Sequence, residues 1–454
     1  MSSIIRTLAR FAAELKWEEL PDNVRREADL KIADTVAAGI GASNNPQICR
    51  VSEAYRELMG KGDAAPVWKQ GFSAPLFTAA FLNGLKAHTL ELDDVHTASK
   101  AHIGTVVIPA AWSCAAMLGS SGQQLCEAVV AAYEITARIA MAFGIKAHRQ
   151  GGWHSTATAG VFGAAAACGK LLGFGEEEMV NALGLAGVQS FGTWAFLADG
   201  ASCKVLNPGR AAQSGCEAAF LAKAGMTGPE HVLTSKDGGL LHMMSSAPVP
   251  EFADADLGTI WEISRMDNKP YPACRSTHCA IDGALAIRER DGLRAEEVKK
   301  IWVDTYLIGN QQCGISAASR EPHNGPQARF STPFCVAAAI LDGKVNLSTF
   351  DEKRINAPDA QALLSKVEVR TEDRFTKRYP AQWGCHVTVL CKDGRTLEQE
   401  IPSASGSIDN PLTPYQAREK AVGLMEPVVG HAEAERLTDI LLCTSQLEKL
   451  PELL

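Results

Sequence analysis

Ionisable side chains are dense between residues 88 and 102, in the stretch HTLELDDVHTASKAH. Three histidines and three acids fall within these fifteen residues, whereas the flanking segments are mostly small and apolar. Such groups carry general acid–base catalysis, because a carboxylate can orient an imidazole or change its protonation. The stretch therefore predicts one wall of an acid–base site. Helix capping is the simpler interpretation of the paired acids Asp93 and Asp94.

Three more clusters combine charge or imidazole with turn or small residues: RQGGWHSTATAG, LADGASCKVLNPGRAAQSG and DNKPYPACRSTHCAIDGAL. In the first, His154 precedes a predicted helix, whose N-terminus would keep the imidazole neutral. In the second, Lys204 lies just before a predicted helix start, where ammonium and helix N-terminus could hold one anion. In the third, Lys269 precedes a proline, which favours an extended backbone. A capping histidine, a solvated lysine and a linker charge are the structural alternatives.

The elements that position these clusters change along the chain. Up to about residue 265 the apolar residues have helical spacing, as in LPDNVRREADLKIADTVAAGIGAS. The segment TATAGVFGAAAACGKLLGF consists mostly of small residues, which would let helix backbones approach closely. Then VKKIWVDTYLI, SKVEVRTEDRF and CHVTVLCKDGRTLEQEIPS are rich in strand formers, with a hairpin signal at Asp393-Gly394. Helix returns with a capping-box spacing at Thr413 and Gln416. The predicted fold is mainly α: an all-helical domain (1–267 plus 406–454) with an inserted smaller α/β domain (268–405).

Composition excludes several classes of partner. The chain has 454 residues, a net charge of −8 and a pI near 5.8, which argues against a nucleic-acid or anionic-membrane surface. Its thirteen cysteines include no CxxC pair, and its N-terminus does not read as a signal peptide. Twenty uncharged residues lie between Glu178 and Asp199, but polar residues and glycines dilute them. The expectation is a cytoplasmic protein that binds neither nucleic acid nor membrane.

In their order and spacing, the four clusters resemble the MmgE/PrpD family, whose members include 2-methylcitrate dehydratase, cis-aconitate decarboxylase and iminodisuccinate epimerase. The similarity runs over nearly the whole chain, including ARFSTPFCVAAAILDGKV at residues 328–345. The resemblance implies that the α/β domain is a lid, that the active site lies in the cleft below it, and that the protein is a homodimer. It implies no cofactor and no metal. The sequence agrees in lacking dinucleotide and P-loop motifs.

Carried over residue by residue, the resemblance assigns two groups of site residues. The catalytic candidates are Asp93, His102, His154, Lys204 and Lys269. The substrate-binding candidates are Asp94, His96, Thr97, Arg275 and His278. The chain departs from the family where it has His102-Ile103 in place of His-Pro, Asn207-Pro208-Gly209 in place of His-Pro-Gly, and Cys279 in place of a common proline. These departures weaken the transfer of one exact activity more than the transfer of the fold.

The function that the resemblance implies is a cofactor-independent lyase acting on a small di- or tricarboxylate by proton abstraction next to a carboxylate. Such chemistry needs cations that hold carboxylates, a base and an acid. Dehydration of the 2-methylcitrate type is the leading expectation. Epimerisation of an iminodisuccinate-type substrate and decarboxylation of the cis-aconitate type are the alternatives. The rival from another class is a non-catalytic protein that binds an organic acid.

Overall fold

The computed structural model describes residues 3–59 and 62–454, and helices dominate it, with 61% of residues in helix and 9% in strand. The mainly α prediction is therefore confirmed. Helices of the N-terminal part are α1 (Ile4–Glu14), α2 (Asp22–Gly41), α3 (Pro46–Met59), α4 (Leu76–Thr89), α5 (Gly104–Leu118), α6 (Gly122–Ala142), α7 (Ile145–Gln150), α8 (Ser155–Leu171), α9 (Glu176–Val188), α10 (Phe196–Asp199), α11 (Leu206–Lys223) and α12 (Leu240–Met244).

Helix α8 lies at the centre of this part and packs against α5, α6, α9 and α11. Its small residues permit close approach: a Cβ on Gly163 would lie 1.9 Å from the hydroxyl of Thr136. The close packing predicted from TATAGVFGAAAACGKLLGF is thus confirmed. Helix α8 begins directly after His154, which occupies the N-cap position in extended conformation, so the packed core fixes the backbone of this candidate residue.

The C-terminal part contains a four-stranded sheet. Its helices are α13 (His278–Asp291), α14 (Leu307–Cys313), α15 (Ala317–Arg320), α16 (Gly325–Ala328), α17 (Thr332–Asp342), α18 (Glu352–Ile355), α19 (Pro358–Leu364), α20 (Asp373–Arg378), α21 (Pro414–Val429) and α22 (His431–Leu441). The strands of the whole chain are β1 (Ala65–Val67), β2 (Phe72–Ala74), β3 (Val95–His96), β4 (Met266–Asp267), β5 (Val298–Thr305), β6 (Val367–Thr371), β7 (Cys385–Cys391) and β8 (Thr396–Ile401).

The sheet has the order β6-β5-β7-β8, with β5 and β6 parallel and the other two pairs antiparallel. Strands β7 and β8 form the predicted hairpin, and Gly394 in the turn has a φ of 90°. The predicted capping box at Thr413 and Gln416 is also present, at the start of α21. These signals could be recognised because each depends on residues close in sequence.

The buried apolar residues form two large cores. One draws on residues 5–266 and 421–453, and the other on residues 273–404. Helix α21 returns to the first part and packs against α2. The exact domain boundaries, the lid role and the homodimer stay predictions. Among the helices of the described residues, none combines the length and apolarity that a membrane span requires.

The label "all-helical" for the first part is wrong in one detail, because two short antiparallel strand pairs lie within it, β1 with β2 and β3 with β4. Strands of two or three residues are too short to show an alternating pattern. The second pair matters for the site. Val95 pairs with Asp267, which brings the acidic loop of residues 88–102 beside the segment that contains Lys269.

Candidate active site

A buried carboxylate joins two lysines from separate segments. Lys269 Nζ donates to Glu91, 3.3 Å from Oε2 and 3.2 Å from the main-chain oxygen, and Lys204 Nζ contacts Oε1 of the same residue. Burial alone would raise the pKa of Glu91, but the two ammonium groups hold it well below its usual range. Burial alone would lower the pKa of Lys269, but the carboxylates of Asp93 and Glu91 raise it above its usual value. Both lysines therefore converge on one anion-binding position.

Asp93 and two imidazoles form a second cluster. His102 Nδ1 donates to Asp93 Oδ2 over 2.6 Å, and His88 Nδ1 lies 3.0 Å from Asp93 Oδ1 without hydrogen-bond alignment. Burial alone would raise the pKa of Asp93, but His88, Lys269 and His102 hold it well below its usual range. Burial lowers the pKa of His102 to about 3, against the opposing influence of Asp93. The imidazole is therefore neutral at neutral pH, with its proton on Nδ1 and Nε2 free to accept one.

The two clusters face a small cavity, called the void here, of about 30 Å³. Its wall includes three lysines and one histidine: Lys100, Lys204, Lys269 and His102. A larger opening, called the cleft, adjoins it and encloses about 610 Å³. The two spaces share Glu91, Lys204, Gln312 and Phe330. The void holds only one or two waters, so any larger ligand would have to enter from the cleft and widen it.

His154 lies beside the void without a hydrogen bond. Its side chain is buried, and in the described part of the chain neither ring nitrogen has a hydrogen-bond partner. The ring centroid lies 4.6 Å from that of Trp194, which lines the void. Burial and the nearby charge of Lys204 keep its pKa well below the usual value. A buried, neutral and unpaired imidazole is suited to meet a substrate or an ordered water.

Asp94 points away from the void. Its Oδ1 accepts from the Gly104 amide at 3.0 Å and its Oδ2 accepts from the Tyr133 hydroxyl at 2.7 Å. Burial raises the pKa of Asp94 to about 7, although Lys31 acts in the opposite direction. These contacts orient the loop that carries Asp93. The predicted contact of Asp94 with substrate stays a prediction.

The raised pKa of Asp94 predicts a pH-dependent stability. The folded state keeps this proton up to about pH 7, whereas an unfolded aspartate loses it near pH 4. The stabilisation is therefore complete below pH 4 and is lost as the pH rises through 7. Asp94→Asn should leave the free energy of unfolding within about 1 kcal/mol at pH 4 and raise it by about 4 kcal/mol at pH 8, the free-energy difference between a pKa of about 7 and one near 4. Denaturant titrations at both pH values measure this, and an equal change at both would contradict it.

The other substrate-binding candidates differ in placement. His96 is held by Ser99 and Glu262, 2.8 and 3.0 Å from its two ring nitrogens. His278 Nδ1 accepts from Arg275 Nη1 at 3.0 Å. Only Arg275 lines the void, and it also borders a neighbouring cavity of about 90 Å³ that Thr97 lines. Substrate contact of these four residues stays a prediction.

His88, Asp93 and His102 could together hold a metal ion, since their ligand atoms lie within 4.8 Å of one another. The donor set suits a transition metal. However, the 2.6 Å contact between His102 and Asp93 is a hydrogen bond, which a metal would have to displace. The cluster therefore fits an acid–base pair better than a ligand set. The expected absence of a metal stays a prediction.

Sequence reasoning did not select Glu91 or Lys100. Both lie inside the stretch HTLELDDVHTASKAH, both are buried, and both have positive φ angles, 56° and 57°. Such angles are uncommon outside glycine and concentrate at functional sites. The sequence signal for Glu91 and Lys100 was the presence of charged residues between apolar segments. Charged residues in an exposed loop produce the same pattern.

Fold and site define a mainly α protein in which lysines, imidazoles and carboxylates surround a small buried cavity. The chain belongs to the MmgE/PrpD family. Residues 6–253 match the MmgE/PrpD N-terminal domain and residues 271–446 match the MmgE/PrpD C-terminal domain. The membership predicted from the four clusters is therefore confirmed.

Three relatives of this chain have the names of lyases. Human cis-aconitate decarboxylase is 30% identical over 437 residues, which cover 92% of this chain and 87% of the human protein. The cis-aconitate decarboxylase of Aspergillus terreus is 23% identical over 471 residues, covering 100% of this chain and 95% of the relative. The 2-methylcitrate dehydratase of Cupriavidus necator is 23% identical over 269 residues, covering 56% of this chain and 53% of the relative.

Proposed function

We propose that the protein is a cofactor-independent lyase for a small polycarboxylate, with catalysis at the void. The observation that carries this proposal is the convergence of Lys204 and Lys269 on the Glu91 carboxylate. The two ammonium groups already hold one carboxylate where His102 faces the same space. A substrate carboxylate can bind beside Glu91, because each ammonium has three donors and can accept a further partner.

Decarboxylation of a cis-aconitate-type substrate is the reaction we favour. The decarboxylase relatives match this chain over most of its length, whereas the Cupriavidus dehydratase matches about half of it. These longer matches support the decarboxylase alternative over the dehydration expected from the sequence. Dehydration of the 2-methylcitrate type is the second candidate, supported by that shorter match.

The reaction requires one bond to break and one proton to arrive. The bond between the methylene carbon and its carboxylate breaks and releases carbon dioxide. The electron pair of that bond forms a new double bond between the methylene carbon and the central carbon. The distal carbon of the original alkene then takes a proton. Lys204 and Lys269 hold the remaining carboxylates. Asp93 orients His102, and His102 or His154 transfers the proton. A bound trianion raises the pKa of these imidazoles, because it brings negative charge close to them.

Product analysis in deuterated water tests the proposal. The purified protein is incubated with cis-aconitate, 2-methylcitrate and a panel of succinate-type acids, and the products are followed by NMR. Formation of deuterated 2-methylenesuccinate from cis-aconitate is the expected result. An alkene from 2-methylcitrate would support dehydration instead, and exchange without net change would support epimerisation. Binding without exchange for every acid would favour the non-catalytic alternative and contradict the lyase.

A further inference from the structure

Lys100 is a buried lysine for which the described residues supply no counter-ion. Its side chain lies in the wall of the void with 8% of its surface exposed. Within residues 3–59 and 62–454, its Nζ atom has no hydrogen-bond partner. The ammonium instead faces two aromatic rings of the C-terminal part, 4.3 Å from the centroid of Tyr379 and 4.5 Å from that of Trp383. All three of its donors are free.

The other cations of the void are balanced differently. Lys204 and Lys269 share Glu91, and Arg275 Nε donates to Asp267 Oδ2 over 3.0 Å. Lys100 makes no ion pair in the described part of the chain. Burial lowers the pKa of Lys100 to about 7, and its φ of 57° is unfavourable for a lysine. The fold thus retains a strained, desolvated lysine where an apolar side chain would be more stable.

We propose that Lys100 is the specificity-determining residue that selects tricarboxylates over dicarboxylates. This inference rests on the proposed function. Lys204 and Lys269 receive two carboxylates of the substrate, and Lys100 receives the third. Tyr379 and Trp383 hold the ammonium toward the void until the substrate supplies its counter-charge.

The discrimination follows from the cost of an unpaired buried charge. A tricarboxylate gives Lys100 a charge-assisted hydrogen bond and removes the cost of burying it alone. A dicarboxylate leaves the ammonium unpaired. Sites built to pair with a polar group reject analogues that lack it much more strongly than apolar pockets reject a missing methylene. The expected preference is about 100-fold in Kd, which corresponds to about 2.7 kcal/mol.

Two unreactive acids isolate this effect in calorimetric titrations. Tricarballylate is propane-1,2,3-tricarboxylate, and 2-methylsuccinate is the same molecule without one terminal carboxylate. The wild-type protein should bind tricarballylate about 100-fold more tightly. Lys100→Met and Lys100→Gln should reduce the ratio to below about fivefold, mainly by weakening tricarballylate. Lys100→Arg keeps the charge and should restore part of the preference.

Lys86 offers a matched control because it is also a buried lysine. Its Nζ donates to the Ser43 hydroxyl over 2.8 Å, and it does not line the void. Lys86→Met should leave the ratio of the two dissociation constants within twofold of wild type. A merely structural Lys100 gives the opposite pattern from the one proposed. In that case Lys100→Met would lower the melting temperature, whereas the proposal predicts a higher melting temperature for the ligand-free variant.

The outcomes separate this inference from the proposed function. If wild type prefers tricarballylate and both uncharged variants keep that preference, the role of Lys100 is refuted while the polycarboxylate site stands. If wild type binds neither acid, the proposed function fails and this inference fails with it. Loss of the preference in both uncharged variants, with recovery in Lys100→Arg, supports the inference.

Discussion

Lys204→Met is expected to lower kcat/KM for the polycarboxylate substrate by about 10²–10³-fold while the protein stays folded. Lys204 reaches the void from the turn before α11 and contacts Glu91. Methionine has similar length and no charge, so the substrate loses one ammonium donor in the transition state. Glu91 keeps Lys269 as a partner, and the variant therefore leaves no buried carboxylate unpaired. Steady-state kinetics and thermal melting measure the two effects separately.

Lys223→Met is the control for this variant, because Lys223 lies exposed at the C-terminal end of α11. It should change kcat/KM by less than twofold. A folded Lys204→Met protein with kcat/KM within threefold of wild type would show that Lys204 is a structural partner of Glu91. A variant that unfolds, yet has normal specific activity in its folded fraction, would lead to the same conclusion.

Asp93→Asn is expected to reduce kcat by about 10²–10⁴-fold, with a smaller change in KM. Asp93 accepts the Nδ1 proton of His102 and fixes its tautomer. Asparagine carries no negative charge, so it cannot stabilise the imidazolium form of His102 that delivers the proton to the distal alkene carbon. The substitution also removes a negative charge that raises the pKa of Lys269. Single-turnover measurements would locate the loss in the chemical step.

Asp29→Asn tests whether any substituted, hydrogen-bonded aspartate has this effect. Asp29 accepts from the Ser445 amide and hydroxyl at 2.7 and 2.8 Å and lies outside the void. Its substitution should alter stability but leave kcat within threefold. Equal losses of kcat in Asp29→Asn and Asp93→Asn would contradict a specific role for the pair of Asp93 and His102.

Much of the fold could be predicted because its signals are local. The stripe in α2, the hairpin of β7 and β8 and the cap of α21 depend on residues within a few positions of one another. The strand pair of β3 and β4 could not be predicted, since its partners are far apart in sequence and each strand has two residues. This pair is what brings the acidic loop to Lys269.

The candidate site was predictable by residue type more than by geometry. The lysine and histidine positions came from the resemblance, and four of them lie in or beside the void: His102, His154, Lys204 and Lys269. Glu91 was missed because its partners are 113 and 178 residues away. Asp93 and Asp94 are adjacent and equally acidic, yet one faces imidazoles and the other faces Tyr133. In an irregular loop the sequence has no helical or strand periodicity that would indicate which way each side chain points.

The most direct measurement is a crystal structure of the protein with tricarballylate, an unreactive tricarboxylate. Carboxylate oxygens within about 3 Å of the Nζ atoms of Lys204 and Lys269, with His102 against the carbon skeleton, are the predicted result. Tricarballylate bound elsewhere, with both lysines still held only by Glu91, would contradict the account.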